Sequence, residues 1–218
     1  TVDYLTVTNG GTIGTSTSVY QGDGSAISLS GSSTVVNFSS TSSLYSAYTS
    51  GSTSRIILNN SSKFNTRNAY LGQMGFSDIS LNNSSIWNDS STLYFGYRGS
   101  CNIFIDYSSK IHSISSMFFG YNEGSVAEID MGTYNAEISS DSNIFLGYNG
   151  TSSLAIPKSG RIVADNGTIY MAYGESSSSS AVLSGFSSYL DSNYLYCGRE
   201  GDASLELGDQ EAALKHYK

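Results

Sequence analysis

Eight times along this chain an apolar residue, an aromatic residue, a third residue and a small residue follow one another, and no other feature restricts the possible folds as strongly. The phrase reads Val19-Tyr20-Gln21-Gly22, Leu44-Tyr45-Ser46-Ala47, Ala69-Tyr70-Leu71-Gly72, Leu93-Tyr94-Phe95-Gly96, Met117-Phe118-Phe119-Gly120, Ile144-Phe145-Leu146-Gly147, Ile169-Tyr170-Met171-Ala172 and Leu195-Tyr196-Cys197-Gly198. The small residues stand at 22, 47, 72, 96, 120, 147, 172 and 198, in steps of 25, 25, 24, 24, 27, 25 and 26 residues. A nearly constant period of this length marks stacked supersecondary units, each touching only its neighbours. The spacing predicts a solenoid, which offers long repetitive faces rather than one deep pocket.

Ser, Thr, Asn and Gly are abundant, Pro occurs once at Pro157, and the helix formers Glu, Lys and Gln are sparse, so strands and turns are expected throughout. The net charge of −8 is spread thinly along 218 residues. Without a basic block to displace counterions from a phosphate backbone, nucleic acid is not an expected partner. No apolar run approaches the ~20 residues of a membrane-spanning helix. The opening Thr1-Val2-Asp3, with neither Met nor signal peptide, is what a piece of a longer chain would show.

The coil from Leu93 to Phe119 gives the plan most clearly. Leu93–Tyr97 reads as one strand, Asn102–Ile105 as a second and Lys110–Ile114 as a third, with turns at Arg98–Cys101, Asp106–Ser109 and Ser115-Ser116. Three strands per coil describe an all-β parallel β-helix, here of about eight coils over residues 1–208. Period-two alternation points the residues three and one before each small residue inward. The second strand does the same seven and nine residues after it, with Ile79 and Leu81, Ile103 and Ile105, Ala127 and Ile129, Leu154 and Ile156, and Leu205 and Leu207. Ile86, Ile111 and Ile162 are expected to serve the third strand. Each buried aliphatic side chain contributes about 1.5–3 kcal/mol, too little for one coil to order itself alone.

Cys101 and Cys197 differ in phase and lie about four coils apart, roughly 19 Å at ~4.8 Å per strand, well beyond the ~7 Å reach of a disulfide. Both are expected to be unlinked packing residues. Asn65, Asp89, Asp165 and Asp191, with Asp141 one position off, form an apparent column seven residues before the small residue. Such side chains bond nearby backbone amides and tolerate left-handed turns. A stacked-carboxylate cation site is the alternative, but Ser113 interrupts the column and the dense Gly-Asp spacing of calcium-binding rolls is missing.

Catalysis finds little support. Asp106 and Asp130 share a phase, ten residues after Gly96 and Gly120, with Lys110 and Glu128 near them in the unrolled lattice. The same position elsewhere holds Ser32, Ile57, Asn82, Pro157, Val182 and Gly208, and no insertion walls a cleft for a carboxylate pair. The pair therefore reads as surface turn carboxylates. His112 and His216 stand apart with no ligand spacing around them. The Ser176–Ser180 run reads as a turn and lacks a nucleophile elbow. No catalytic residue, metal or cofactor is expected.

What remains is the aromatic position itself. Tyr20, Tyr45, Tyr70, Tyr94, Phe118, Phe145, Tyr170 and Tyr196 have the opposite parity to the inward columns, and Tyr48, Tyr97, Tyr121, Tyr148 and Tyr173 follow the small residue. They are expected to project from one outer face. Two roles are open, ring-on-ring support of the stack and contact with a partner.

The segment Leu81–Ser100, with its Ser-rich turn, Trp87, polar break and Leu93-Tyr94-Phe95-Gly96-Tyr97 phrase, resembles the strand-loop-strand repeat of bacterial autotransporter passenger domains. The opening Leu5–Ile13 is similar, and the resemblance runs over about residues 2–208. It implies a right-handed parallel β-helix exported across the outer membrane of a Gram-negative bacterium and displayed on the surface or secreted, a route that suits scarce cysteine. It also implies a non-catalytic adhesion or self-association module, meeting a surface glycan, a protein or a second copy of the rod through the exterior aromatic column. The alternatives are a purely structural β-helical stalk presenting another domain and, third, a carbohydrate-active enzyme. Residues 209–218 leave the pattern. Their Ala, Leu, Glu and Lys favour a short helix, with Asp209 able to cap it, as a cap, a linker or an added tail.

Overall fold

The computed structural model describes residues 3–132, 134–185 and 187–208, which hold strands and turns only. Nine strands, Tyr4–Thr8, Ser25–Ser30, Thr53–Asn59, Phe76–Leu81, Ser100–Ile105, Val126–Asp130, Thr151–Ile156, Ser178–Leu183 and Asp202–Leu207, stack in chain order as one parallel sheet. Between each pair the chain travels through the third-strand and phrase positions and returns one rung further on, making eight coils. At ~4.8 Å per rung the stack is about 40 Å long. The fold is the expected parallel β-helix, of the right-handed form that parallel crossovers require.

The other two strand positions belong to a single twelve-stranded sheet that bends around the remaining sides. In four coils the corner between them is part of one bent strand, Lys63–Leu71, Ile86–Phe95, Arg161–Met171 or Tyr189–Cys197. The corner residues do not correspond one to one. The ladder shifts register between Asp89 and Thr92 and again between Ala164 and Thr168.

In seven of the eight phrases, Gly22 being the exception, the small residue has a clear backbone reason. Ala47, Gly72, Gly96, Gly120, Gly147, Ala172 and Gly198 all have positive φ, between 51° and 72°, the left-handed conformation in which a larger side chain is strained. A Cβ on Gly72, Gly96 or Gly120 would also overlap the carbonyl of Ser100, Val126 or Thr151. The period is thus the repeat of a left-handed corner that turns the chain from the phrase strand to the next strand.

The core follows the expected parity. Leu44, Ala69, Leu93, Met117, Ile144 and Ile169 are buried, as are Leu71, Phe95, Phe119, Leu146 and Met171. Gln21 and Ser46 are buried in the latter column too, so in the first coils this one column is polar within an otherwise apolar core. There the Ser46, Ser54 and Ser77 hydroxyls close a ring of hydrogen bonds at 2.5, 3.2 and 2.9 Å. On the first sheet Ile103 pairs with Ile79 and Ile129, and Ile105 with Leu81. The third-strand column corrects one expectation. Trp87, level with Phe64 and Ile111, is fully buried, while Ile86 is level with Lys110 and lies on the outer side. An indole fills the corner that the Ile86 side chain would leave empty.

Cys101 is buried in a column of small residues, between Ser77 and Ala127, and both cysteines are free, as expected. Cys197 is exposed rather than packed, because no described coil covers the last phrase. The expected helix at 209–218, and His216 with it, lies outside the described residues.

Candidate functional site: the aromatic ladder

The alternation that buries Leu93 and Phe95 leaves Tyr94 on the outer side of its strand. The parallel register then places Tyr20, Tyr45, Tyr70, Tyr94, Phe118, Phe145, Tyr170 and Tyr196 directly above one another. Successive ring centroids are 4.7–5.4 Å apart, with planes within 10° of parallel. Tyr97, Tyr121, Tyr148 and Tyr173 form a second stack beside the first at 5.0–5.2 Å. Rings of the two columns meet edge to face at 75–89°.

These numbers fix one arrangement. Parallel rings touch at about 3.5–4 Å, so centroids repeating at the rung spacing require ring normals tilted by roughly 40° from the stacking direction. Two columns tilted in opposite senses then cross at about a right angle. The result is a herringbone in which ring faces meet ring faces and the outer surface shows edges and hydroxyls. Phe145 is buried, most of the other rings are partly covered, and Tyr196, at the uncovered end, is 49% exposed. Burial raises the hydroxyl pKa of Tyr70 and Tyr121 and pushes that of Tyr94 up to about 12, with neighbouring tyrosines adding to it. These hydroxyls are neutral at any physiological pH.

The second column is incomplete. Gln73 interrupts it between Tyr48 and Tyr97, and the Gln73 Oε1 is buried without a hydrogen-bond partner. At the far end Arg199 caps the Tyr173 ring, its guanidinium carbon 4.4 Å from the centroid.

The acidic positions do not assemble as the spacing suggested. Asp89 is level with Thr66 and Ser113, while Asn65 is level with Asn88 and Asp191 with Val163, so the apparent column is dispersed by corners of unequal length. Only Asp89 is inward. The Thr66 hydroxyl donates to its Oδ2 at 2.6 Å, the Ser91 N–H to its Oδ1 at 2.8 Å, and the Trp87 indole N–H to Thr66 at 2.8 Å. Burial pushes the Asp89 carboxyl up to about 7, against these two hydrogen bonds.

Asp106 and Asp130 are likewise not in register, since Asp130 pairs with Phe104. The turn from Gly120 to Val126 is two residues longer than that from Gly96 to Ser100, an even offset that preserves parity but moves Asp130 along the sheet. Asp130 is exposed, but Asp106 is a buried residue rather than a surface one, its Oδ1 accepting the N–H groups of Tyr107 and Tyr134. His112 lies 3.1 Å from the Ser139 hydroxyl through Nδ1 and 3.6 Å from Asp141 through Nε2. Among the described residues no three His, Cys, Asp or Glu side chains come together as a metal set, and no helix is long and apolar enough to cross a membrane.

A smaller aromatic patch was not legible beforehand. Tyr107 and Tyr134 project from the corner between the first sheet and the third-strand positions, 49% and 52% exposed. Their nearest sequence signal is the aromatic at each turn, commonplace in a chain with 17 tyrosines. No family model matches the chain, and no curated protein or solved structure does either.

Proposed function

We propose that this chain is a non-catalytic scaffold segment, a β-helical stalk that holds neighbouring parts of an exported surface protein at a distance. The observation that carries the reading is the herringbone ladder. Eight rings in register direct their faces at one another, so their largest contact areas stabilise the stack and are withheld from lateral partners. Aromatic pairs of this geometry each contribute about 0.5–1.5 kcal/mol beyond area burial. Resemblance of Leu81–Ser100 to autotransporter passenger repeats supports export to a Gram-negative cell surface, and scarce cysteine suits that route.

Adhesion through the same column is the second reading, favoured by the row of phenol edges and by the exposed rings of Tyr48 and Tyr196. Replacing Tyr70, Tyr94 and Tyr170 together by Ser separates the two. A stalk loses several kcal/mol of stability, read as a lower urea midpoint, because each ring contacts stacked and edge-on neighbours. An adhesin retains its midpoint and loses cell–cell aggregation when displayed. Unchanged stability would remove the scaffold role from the ladder.

A further inference from the structure

We propose that the corner bearing Tyr107 and Tyr134, with the groove beside it, binds an acidic oligosaccharide. The corner is built from stacked tight turns in which Asn60 and Ser61, Asn83 and Ser84, and Tyr107 and Ser108 have consecutive positive φ values, each turn donating to the next through Ser61, Ser84 and Ser108 N–H. For a residue as large as tyrosine, a φ of 48° is an outlier. Strain of this kind persists where surrounding structure imposes it and gathers at ligand sites. Here the Asp106 Oδ1 accepts the Tyr107 N–H at 2.8 Å within that turn.

The rings it presents differ from those of the ladder. Tyr107 and Tyr134 are 5.8 Å apart and tilted by 34°, each about half exposed, so their faces are not closed off by a continuous stack. Such faces suit the C–H face of a pyranose ring, a contact of the aromatic and weak hydrogen-bond kind. Lys158 stands over Tyr134, its Nζ 5.4 Å from the ring centroid.

Immediately beside the rings runs a groove lined by Ser108, Lys110, Asn135, Ser159, Arg161 and Tyr189, with Glu137 at its centre. Lys110, Glu137, Arg161 and Tyr189 occupy successive rungs. The Lys110 Nζ lies 3.4 Å from Glu137 Oε2, the Arg161 Nε donates to that oxygen at 2.6 Å, and an Arg161 terminal N–H donates to the Tyr189 hydroxyl at 3.0 Å. Burial opposes ionisation of Glu137, but the Arg161 hydrogen bond and the two cations outweigh it and hold the carboxyl below its usual range.

Lys110 and Arg161 meet the Glu137 carboxylate in the groove and Lys158 stands over Tyr134, so three cations lie around two carboxylates, Glu137 and Asp106, the latter accepting backbone amides. The patch is locally positive on a chain of net charge −8, which selects an anionic ligand. Sugar hydroxyls meet the Ser108, Asn135 and Ser159 side chains, and a carboxylate or sulfate meets Lys158 and Arg161. An acidic peptide fits less well, since the strands here are paired on both sides and leave no sheet edge for a peptide backbone to join.

The test is calorimetric titration of the folded chain with oligogalacturonate, a sulfated dextran oligomer, neutral dextran and poly-glutamate. Binding of either anionic glycan, weakening with salt and falling at least about fivefold in Lys158→Gln and in Tyr134→Ala, is the expected result. The carboxylated and sulfated probes distinguish the two sources of charge. Both variants change exposed side chains, and unchanged melting curves establish that they remain folded. Failure of both anionic glycans to bind, binding insensitive to the two variants, or poly-glutamate binding as tightly as the glycans would overturn the proposal.

Discussion

Replacing Asp89 with Asn converts an inward carboxylate into a neutral group of the same shape, and the structure sets the size and sign of the outcome. Asp89 is 1% exposed, and its neighbours are the hydroxyls of Thr66 and Ser113, the indole of Trp87 and the Ser91 amide, none of them a cation. Its pKa rises from 3.8 to about 7 on folding. Between those values the folded chain holds a proton that the unfolded chain has lost, so stability from this group is present at acid pH and disappears as pH rises through 7. Because the pI is ≈ 4.5, urea titrations are best run from about pH 5 to 8. About two pKa units of that window lie below the folded value, worth about 3 kcal/mol at ~1.4 kcal/mol per unit. The substituted amide mimics the protonated acid and titrates nowhere. The variant should therefore exceed the parent by about 1.5 kcal/mol near pH 5 and by about 4.5 kcal/mol at pH 8, a gap that widens by about 3 kcal/mol across the window. A difference between the two chains that does not change with pH would refute the assignment of a buried, uncompensated carboxylate.

Ile105→Asp should cost roughly 4 kcal/mol or more by placing a charge in the apolar column between Leu81 and Met131, with thermal unfolding as the measure. Gly72→Ala should cost about 2–4 kcal/mol, since φ is 60° and the new methyl overlaps the Ser100 carbonyl, whereas Ala172→Gly should shift the midpoint little. Gln21→Leu removes a buried Oε1 that has no partner, together with the Nε2 donation to the Arg55 carbonyl at 3.3 Å, and should change stability by no more than about 1 kcal/mol in either direction. A loss well beyond that would refute the assignment of Oε1 as unpartnered.

The phrase was sufficient to give the coil count, the parity of its strand and the register of all eight aromatic positions, because these depend on local alternation and on a left-handed corner needing a small residue. Distances counted across corners were less secure. Asp106 and Asp130 separated because the turn before Val126 has two extra residues, yet Ile129 remained inward because two is even. Ile86 and Trp87 exchanged roles because their face depends on the phase of a third strand with few apolar anchors. The column of tyrosines was legible, but its herringbone was not. Ring tilt follows from the mismatch between rung spacing and ring thickness, which appears only when two columns are placed side by side.

That herringbone also bears on how the rod comes apart. In a linear array, cooperativity is set by coupling between adjacent units rather than by the stability of each unit. An external double seam of rings strengthens the coupling wherever both columns are continuous, from Tyr97 to Tyr173. Near Gln73 the outer seam is broken, and the core beneath it, though it holds Leu44, Phe64 and Leu71, also includes the polar side chains of Gln21, Ser46, Ser54 and Ser77. The early coils and the later ones should accordingly behave as two unequal foldons with a soft boundary between them. Amide exchange progressing inward from the start of the chain should pause at that boundary before the aromatic block opens as a unit.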